Sequence, residues 1–190
     1  MTALPDEADS PESLVAIRRV EADEAAALIA RLAALLQDAV ASGASLGFWH
    51  PLDDARAHDY WRGVIAEVAA GKRWLLVAER AGAVVGSAQL EPSPRQNAPH
   101  RAEVQKLMAH RAAHRQGIGR ALMDAVESLA RDNGRTLLVL DTNTDSDAVY
   151  FYRALGYREV GSIPGYSLEA DGSGRATTIF YKSLAQGMMG

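Results

Sequence analysis

Cysteine is absent from this chain of 190 residues. Disulfide bonds, thiolate metal sites and a cysteine nucleophile are therefore excluded together. Positive charge is not in excess either, because the formal net charge is −4, which argues against an electrostatic nucleic-acid binder. The sequence has no run of about 20 apolar residues, the length that a membrane-spanning helix needs. Its first residues lack the basic and then apolar pattern of a secretion signal, so we expect a cytoplasmic protein.

The composition that is present is typical of a globular domain. Hydrophobic residues make up 48% of the chain and charged residues 23%, which is enough apolar material for a substantial core. Residues 1–13 are acidic and rich in Pro and Ser, so we expect a disordered leader there. Residues 14–184 are predicted to form a single domain and residues 185–190 a frayed tail. No internal repeat and no second domain boundary is visible.

Hydrophobic periodicity predicts a chain of alternating strands and helices. The predicted strands cover 14–20, 73–79, 83–91, 101–109, 136–141, 157–163 and 175–184. The predicted helices cover 22–40, 51–71, 117–132 and 148–155. Turns are expected at Pro164-Gly165 and at 170–174, and Thr144 or Asp145 is expected to cap the last helix. Residues 101–141 thus read as a βαβ unit, whose crossover is nearly always right-handed.

The helix that follows Gly117 begins in an unusual way. No Ser, Thr, Asp or Asn stands at its N-cap, so the N–H groups of its first turn lack the usual side-chain acceptor. A phosphate would supply that acceptor, because a helix N-terminus carries partial positive charge. Gly117 and Gly119 would allow close approach, and Arg111, Arg115 and Arg120 would add positive charge. The alternative is an ordinary βα turn whose glycines serve only packing.

The spacing of this loop distinguishes between nucleotide-binding motifs. Arg120-Ala121 follows Gly119 where a Walker loop needs Lys, and Leu122 stands where a dinucleotide fingerprint needs a third small residue. The loop instead resembles the acetyl-CoA loop [RQ]-x-x-G-x-[GA] of the GNAT superfamily of acyl-CoA-dependent N-acetyltransferases. Gly117-Ile118-Gly119 matches its second half, while His114 occupies the leading position.

A second motif strengthens the resemblance. Residues 148–157, AVYFYRALGY, resemble the GNAT segment A-x-x-[LF]-Y-x-x-x-G-[FY], and the predicted order of elements matches the GNAT fold. The resemblance implies an α/β (α+β) fold with a central, mixed, mostly antiparallel sheet, one parallel βαβ crossover and helices on both faces. Blocks 43–48, 101–108, 140–142 and 161–166 look closer still to the tabtoxin-resistance acetyltransferases, which inactivate a β-lactam toxin by acetylation.

The resemblance implies direct transfer of an acetyl group from acetyl-CoA to an amine. In this family a bulge in the strand at 107–109 frees backbone N–H groups that polarise the acetyl carbonyl. The positions implied for coenzyme binding are Leu107, Met108, Ala109, His114, Arg115, Gln116, Gly117, Ile118, Gly119, Arg120 and Tyr152.

Three side chains are candidates for acid–base chemistry. An alkyl ammonium has a pKa near 10, so a carboxylate that accepts its proton would assist the reaction. Glu103 ranks first, although an ion pair with Arg101 or Lys106 is its alternative. Asp141 ends an apolar strand, where a turn or capping role is the alternative. Tyr152 is the expected acid for the leaving thiolate, or else a core tyrosine.

The acceptor is expected to be a small amine, with an amino-acid-like or β-lactam toxin as the favoured class. The adjacent aromatics Phe48 and Trp49 either fill the space between two helices or form a substrate wall, and Gln105 is a further substrate candidate. A protein or peptide acceptor and a non-catalytic acyl-CoA-binding domain are the alternatives, and a homodimer is possible by analogy. His110 and His114 stand four apart, but in a predicted loop without an HExxH pattern, so no metal site is predicted.

Overall fold

The computed structural model describes residues 14–185. The predicted leader and the last five residues lie outside the described residues. Seven strands occupy the described part of the chain: β1 Ala16–Arg19, β2 Trp74–Arg80, β3 Ala83–Pro92, β4 Arg101–Ala109, β5 Leu137–Asn143, β6 Arg158–Leu168 and β7 Gly174–Ser183. Its α-helices are α1 Ala22–Ala25, α2 Ile29–Ala41, α3 Asp54–Ala69, α4 Ile118–Asp132 and α5 Ala148–Ala154, and a 3₁₀ turn, Ala26–Leu28, joins α1 to α2.

All seven strands form one sheet in the order β1-β2-β3-β4-β5-β7-β6. Neighbouring strands are antiparallel except β4 and β5, which are parallel and are connected through α4. This arrangement confirms the predicted mixed sheet with its single βαβ crossover. None of the described helices is both long enough and apolar enough to span a bilayer.

Helices cover both faces of the sheet, as the resemblance implies. Side chains of α4 and α5 pack on one face against Leu76, Leu90 and Leu138. Side chains of α1, α2 and α3 pack on the other face against Leu75 and Val77. Successive strand residues point to opposite faces, so the residue number along a strand decides which helices a side chain meets.

Two predicted details at the end of the chain are wrong. β6 runs through Pro164-Gly165, where a turn was expected, and its register with β7 shifts between Ile163 and Ser167. Proline is tolerated there because β6 is an edge strand, in which a missing N–H need not break a ladder bond. The N-cap of α5 is Asp147 instead of Thr144 or Asp145, and it makes no side-chain capping bond.

Candidate active site

The two parallel strands separate partway along the sheet. β4 and β5 pair only at Arg101 with Leu137, Ala102 with Leu138, and Glu103 with Val139. Beyond that point β4 stays with β3 and β5 stays with β7. A cavity of about 730 Å³ lies where they diverge, lined by both strands, by the loop that follows α2 and by the start of α5.

β4 contains the bulge that the resemblance implies. Between Gln105 and Met108 it advances three residues, while the facing strand β3 advances two, from Gln89 to Ser87. The φ angle of Lys106 is 50°, a left-handed conformation that is unusual for a non-glycine residue. A bulge of this kind breaks the ladder and re-aims side chains, so the backbone of β4 is locally irregular beside the cavity.

Glu103 and Asp141 lie on the same face of the sheet, at the mouth of the separation. Glu103 accepts a hydrogen bond of 3.1 Å from Gln105 Nε2, and it makes no ion pair within residues 14–185. Asp141 is exposed to the cavity. Desolvation by the surrounding walls raises its pKa, and the positive charge of Lys106 opposes that rise only in part.

Tyr152 projects from α5 to the same cavity. Its buried ring packs edge-on against Phe151 and Tyr157, with centroid distances of 5.4 and 5.8 Å. Burial raises the pKa of its hydroxyl, and the charge of Asp141 adds to the rise. The phenol therefore stays protonated at neutral pH and can donate a hydrogen bond into the cavity.

The N-terminus of α4 has the geometry that the sequence predicts. Gly117 is its N-cap, with a φ of 80°, and no side chain caps the helix. Gly119 has a different reason for being small, because a Cβ there would lie 3.4 Å from the ring of Phe151. Gly117 therefore supplies a backbone conformation, whereas Gly119 supplies close packing of α4 against α5.

The loop before α4 is fastened on two sides. The backbone N–H of Arg111 donates to Asp38 Oδ2 at 2.8 Å, and its guanidinium binds the same carboxylate. Desolvation acts to raise the pKa of Asp38, but these hydrogen bonds hold it below its usual value. On the other side Gln116 Oε1 accepts from Arg80 Nη2 at 2.6 Å.

These contacts change the expected cluster of positive charge. Arg111 is engaged by Asp38 and does not extend toward the first turn of α4 as expected. Arg115 and Arg120 are exposed, and neither makes an ion pair within the described range. Two of the three arginines therefore remain available to a ligand at the helix N-terminus.

The other positions implied for coenzyme binding fall into two groups. Leu107, Met108 and Ala109 line the cavity, as does His114, whose Nε2 bonds the carbonyl oxygen of Ala109 at 2.9 Å. Ile118 lies instead in the core between α4 and the sheet, with 2% of its surface exposed. Its backbone can face a ligand, but its side chain cannot.

The three substrate candidates lie in different surroundings. Phe48 packs edge-on against Tyr60 at a centroid distance of 5.3 Å, so it fills space beside α3. Trp49 is 57% exposed and borders a second cavity of about 560 Å³. Its Nε1 donates to the carbonyl oxygen of Leu168 at 2.8 Å, which ties the loop to β6. Gln105 lines the first cavity.

The sequence analysis did not predict a polar network that lies beneath Gln105. Arg73 Nη1 donates to Gln89 Oε1 at 2.5 Å and to Gln105 Oε1 at 3.3 Å, while its Nη2 donates to Glu91 at 2.7 Å. Gln105 Nε2 in turn donates to Glu91 and to Glu103, both at 3.1 Å. This network fixes the amide orientation of Gln105, because a flip would point its oxygen at two carboxylates. The polar residues at alternate positions of β3 and β4 are the signal that could have revealed it.

Among residues 14–185 no three His, Cys, Asp or Glu side chains are grouped so that they could hold a metal ion.

Known proteins share both the sequence pattern and the fold. Residues 71–159 match the family model described as an acetyltransferase (GNAT) domain. An N-acetyltransferase from Staphylococcus aureus Mu50 superposes with a TM-score of 0.73 and 15% identity, over 91% of this chain and 100% of that chain. yncA, a putative acetyltransferase from Salmonella typhimurium whose structure contains its cofactor acetyl-CoA, has a TM-score of 0.71 and 19% identity. The match covers 94% of this chain and 98% of that chain.

A third similar structure is the ribosomal-protein-alanine N-acetyltransferase from Brucella melitensis. It has a TM-score of 0.69 and 25% identity, over 89% of this chain and 99% of that chain. Residues 71–159 thus resemble a GNAT acetyltransferase domain, and the fold of these solved structures is shared over most of the chain.

Proposed function

We propose that this chain is an acetyl-CoA-dependent N-acetyltransferase that transfers the acetyl group directly to a small amine. The observation that carries the proposal is the cavity between the diverging ends of β4 and β5, because two carboxylates, one tyrosine hydroxyl and the irregular backbone of β4 meet there. Direct transfer needs a group that accepts the proton of the amine, a donor for the carbonyl oxygen and a donor for the leaving thiolate.

Acetyl-CoA fits the residues at the beginning of α4. The helix N-terminus has no side-chain cap, so its N–H groups can bind the pyrophosphate, with Arg115 and Arg120 nearby. His114 is held against Ala109, so we assign the phosphate contact to Gln116, Gly117, Ile118 and Gly119 through their backbone. Bound acetyl-CoA supplies a thioester carbonyl as the electrophile.

Two observations support Asp141, instead of the higher-ranked Glu103, as the general base. Desolvation raises the pKa of Asp141 toward the working pH, which improves a carboxylate as a proton acceptor. The carboxylate of Glu103 is instead held by Gln105, which suits it to orient the ammonium group. Asp141 accepts the proton from the amine directly or through one water molecule.

The remaining two tasks fall to β4 and α5. Leu107, Met108 and Ala109 line the cavity next to the bulge, and we assign to their backbone the N–H groups that would bind the carbonyl oxygen as negative charge develops on it. The Tyr152 hydroxyl stays protonated over the working pH range. It therefore donates a hydrogen bond, or a proton, to the thiolate that leaves.

The size of the acceptor follows from the walls of the site. The bond between Trp49 and Leu168 joins the loop after α2 to β6, and both elements line the cavity, so we infer that this bond limits the space for a long peptide. This favours a small amine, including the amino-acid-like or β-lactam class that the tabtoxin-resistance blocks suggest. A peptide acceptor is the second candidate, because the similar protein from Brucella melitensis is a ribosomal-protein-alanine N-acetyltransferase.

Calorimetric titration with acetyl-CoA, with ATP and NAD as controls, tests the coenzyme. We expect micromolar binding of acetyl-CoA alone. Release of CoA thiol would then be followed with a panel of small amines and with peptides that begin with Ala. Turnover with small amines supports the proposal, and turnover only with peptides supports the second candidate. Binding without turnover on either set indicates a non-catalytic acyl-CoA-binding domain.

A further inference from the structure

The bulge in β4 determines where Lys106 points. Val104 packs in the core beneath α4, and Gln105 faces the opposite side, as strand alternation requires. In a regular strand Lys106 would return to the α4 side. The extra residue places it next to Gln105 on the side of α2 and α3, where its Nζ lies near Gly47, and Leu107 takes the α4 side instead.

This position is energetically unfavourable for Lys106, and no contact of the local backbone compensates for it. A non-glycine residue at a φ of 50° is strained by about 1–3 kcal/mol. The ammonium is also half-buried, and desolvation lowers its pKa. Within the described chain Lys106 has no ion-pair partner and no hydrogen-bond acceptor. Strain and an unpaired cation together are typical of a site that is completed by a ligand.

The surroundings of Lys106 indicate what kind of ligand completes it. The carboxylates of Asp141 on β5 and Glu103 on β4 attract its charge, whereas Arg73, just before β2, repels it. Gly47 closes the remaining side, where a Cβ would lie 3.7 Å from Lys106 Nζ. The cavity thus presents two carboxylates and one cation side by side, which is the complement of a small molecule that carries one positive and one negative group.

We propose that Lys106 binds the carboxylate of the acyl acceptor, so that the acceptor is a small zwitterionic amine. The proposal rests on the proposed function, in which Asp141 and Glu103 receive the ammonium group. Lys106 then acts as a specificity-determining residue. It selects amines that carry an acid group at a short distance from the nitrogen that is acetylated.

Matched pairs of acceptors separate this role from others. CoA release would be measured for the common L-amino acids and for their carboxamides, which keep the amine and lose the negative charge. We expect the wild type to prefer the acid. In Lys106→Met, kcat/KM for the acid should fall about tenfold to a hundredfold, since a hydrogen bond between charged groups is lost. The value for the carboxamide should change by a smaller factor, because loss of the Lys106 charge affects this acceptor only through the pKa of Asp141.

Two further variants control the experiment. Lys72→Met removes the same charge from an exposed position after α3 and should leave both values unchanged. Lys106→Arg keeps the charge and should keep most of the preference for the acid. An unchanged dissociation constant for acetyl-CoA shows that each variant is folded.

The outcomes distinguish the two proposals. Equal losses for acid and carboxamide in Lys106→Met, as a general-base lysine would give, overturn the inference and leave the acetyltransferase function in place. A preference of the wild type for carboxamides would also overturn the inference and leave the acetyltransferase function in place. Absence of turnover with every amine overturns the proposed function, and the inference with it.

Discussion

Asp141, the proposed general base, illustrates at the residue scale how one side chain can serve the proposed reaction at the expense of stability. Its carboxylate faces a cavity whose walls remove much of the surrounding water, so its pKa is raised in the folded protein. Between the unfolded and the folded pKa, the folded state therefore holds more protons than the unfolded state. Stability must fall as the pH rises through that interval.

This gives opposite expectations for activity and stability in Asp141→Asn. The variant should lose about a hundredfold or more in kcat, the range of general-base catalysis, while acetyl-CoA affinity stays the same. It should also be more stable than the wild type toward urea at pH 7, and this difference should vanish below about pH 4, where the unfolded carboxyl is protonated. Kinetics and urea unfolding at several pH values measure both effects.

Glu103→Gln is the comparison for that experiment. It removes a carboxylate that Gln105 already holds, so we expect a smaller loss of kcat than in Asp141→Asn. The opposite order of the two losses would return the role of base to Glu103. A variant at Asp141 that is less stable than the wild type at pH 7 would contradict the argument from desolvation.

Residue types singled out part of the candidate site before its geometry was known. A carboxylate that ends an apolar strand and a tyrosine within a recognisable helix motif both stand out, and Asp141 and Tyr152 do lie on one cavity. Arg73 and Gln89 do not stand out, because their significance depends on the pairing of β2, β3 and β4. Register is set by the packed sheet and cannot be read from one strand alone.

At the scale of elements, a substitution at the start of α4 tests the proposed coenzyme site. Gly117→Glu should abolish acetyl-CoA binding, because it places a negative side chain at the helix N-terminus where phosphate is expected. The substitution also strains the backbone, since φ is 80° there. Titration calorimetry measures the loss of binding, and thermal unfolding measures the strain.

Gly71→Glu is a matched control for that variant. Gly71 also has a left-handed φ, of 68°, and no atom within 4 Å of an added Cβ, but it follows the C-terminal end of α3. Both variants should lose comparable stability, whereas only Gly117→Glu should lose acetyl-CoA. Retained binding in Gly117→Glu would remove the basis for a phosphate site on α4.

Whether the bounds of an element were predicted correctly depends on the residues that surround it in the fold. The bounds of β4 were predicted correctly because polar and apolar residues alternate from 101 to 105 and an apolar run at 107–109 continues to the basic loop. The N-cap of α5 was misplaced because the buried Asn143 accepts the N–H of Asp145 and delays the helix. Prolonged pairing of β6 with β7 overrode the turn preference of Pro164-Gly165, since an edge strand accepts both residues.

At the scale of the whole molecule, β6 is a long strand at one edge of the sheet. Its 11 residues are mostly exposed, and they include Val160, Ile163, Tyr166 and Leu168. An exposed apolar edge is a template for pairing with another chain. The homodimer expected by analogy therefore has a specific candidate interface.

Light scattering after size exclusion tests that interface. We expect the wild type to elute with twice the monomer mass and Val160→Lys to shift toward the monomer, because Val160 is 67% exposed on the edge strand. Ala70→Lys, at an exposed position after α3, is the control and should keep the wild-type mass. A monomeric wild type at micromolar concentration would exclude β6 as a dimer interface.

The bulge of β4 also indicates how such a site can be gained or lost during evolution. The ladder between β3 and β4 is regular on both sides of Lys106, so a single additional residue accounts for the whole interruption. In genetic terms, one inserted codon separates an uninterrupted strand from one that presents both an irregular backbone and a lysine to the cavity. Insertions and deletions of one residue in β4 are therefore the changes through which natural variation would switch this site, while the residues that build the two cores remain the same.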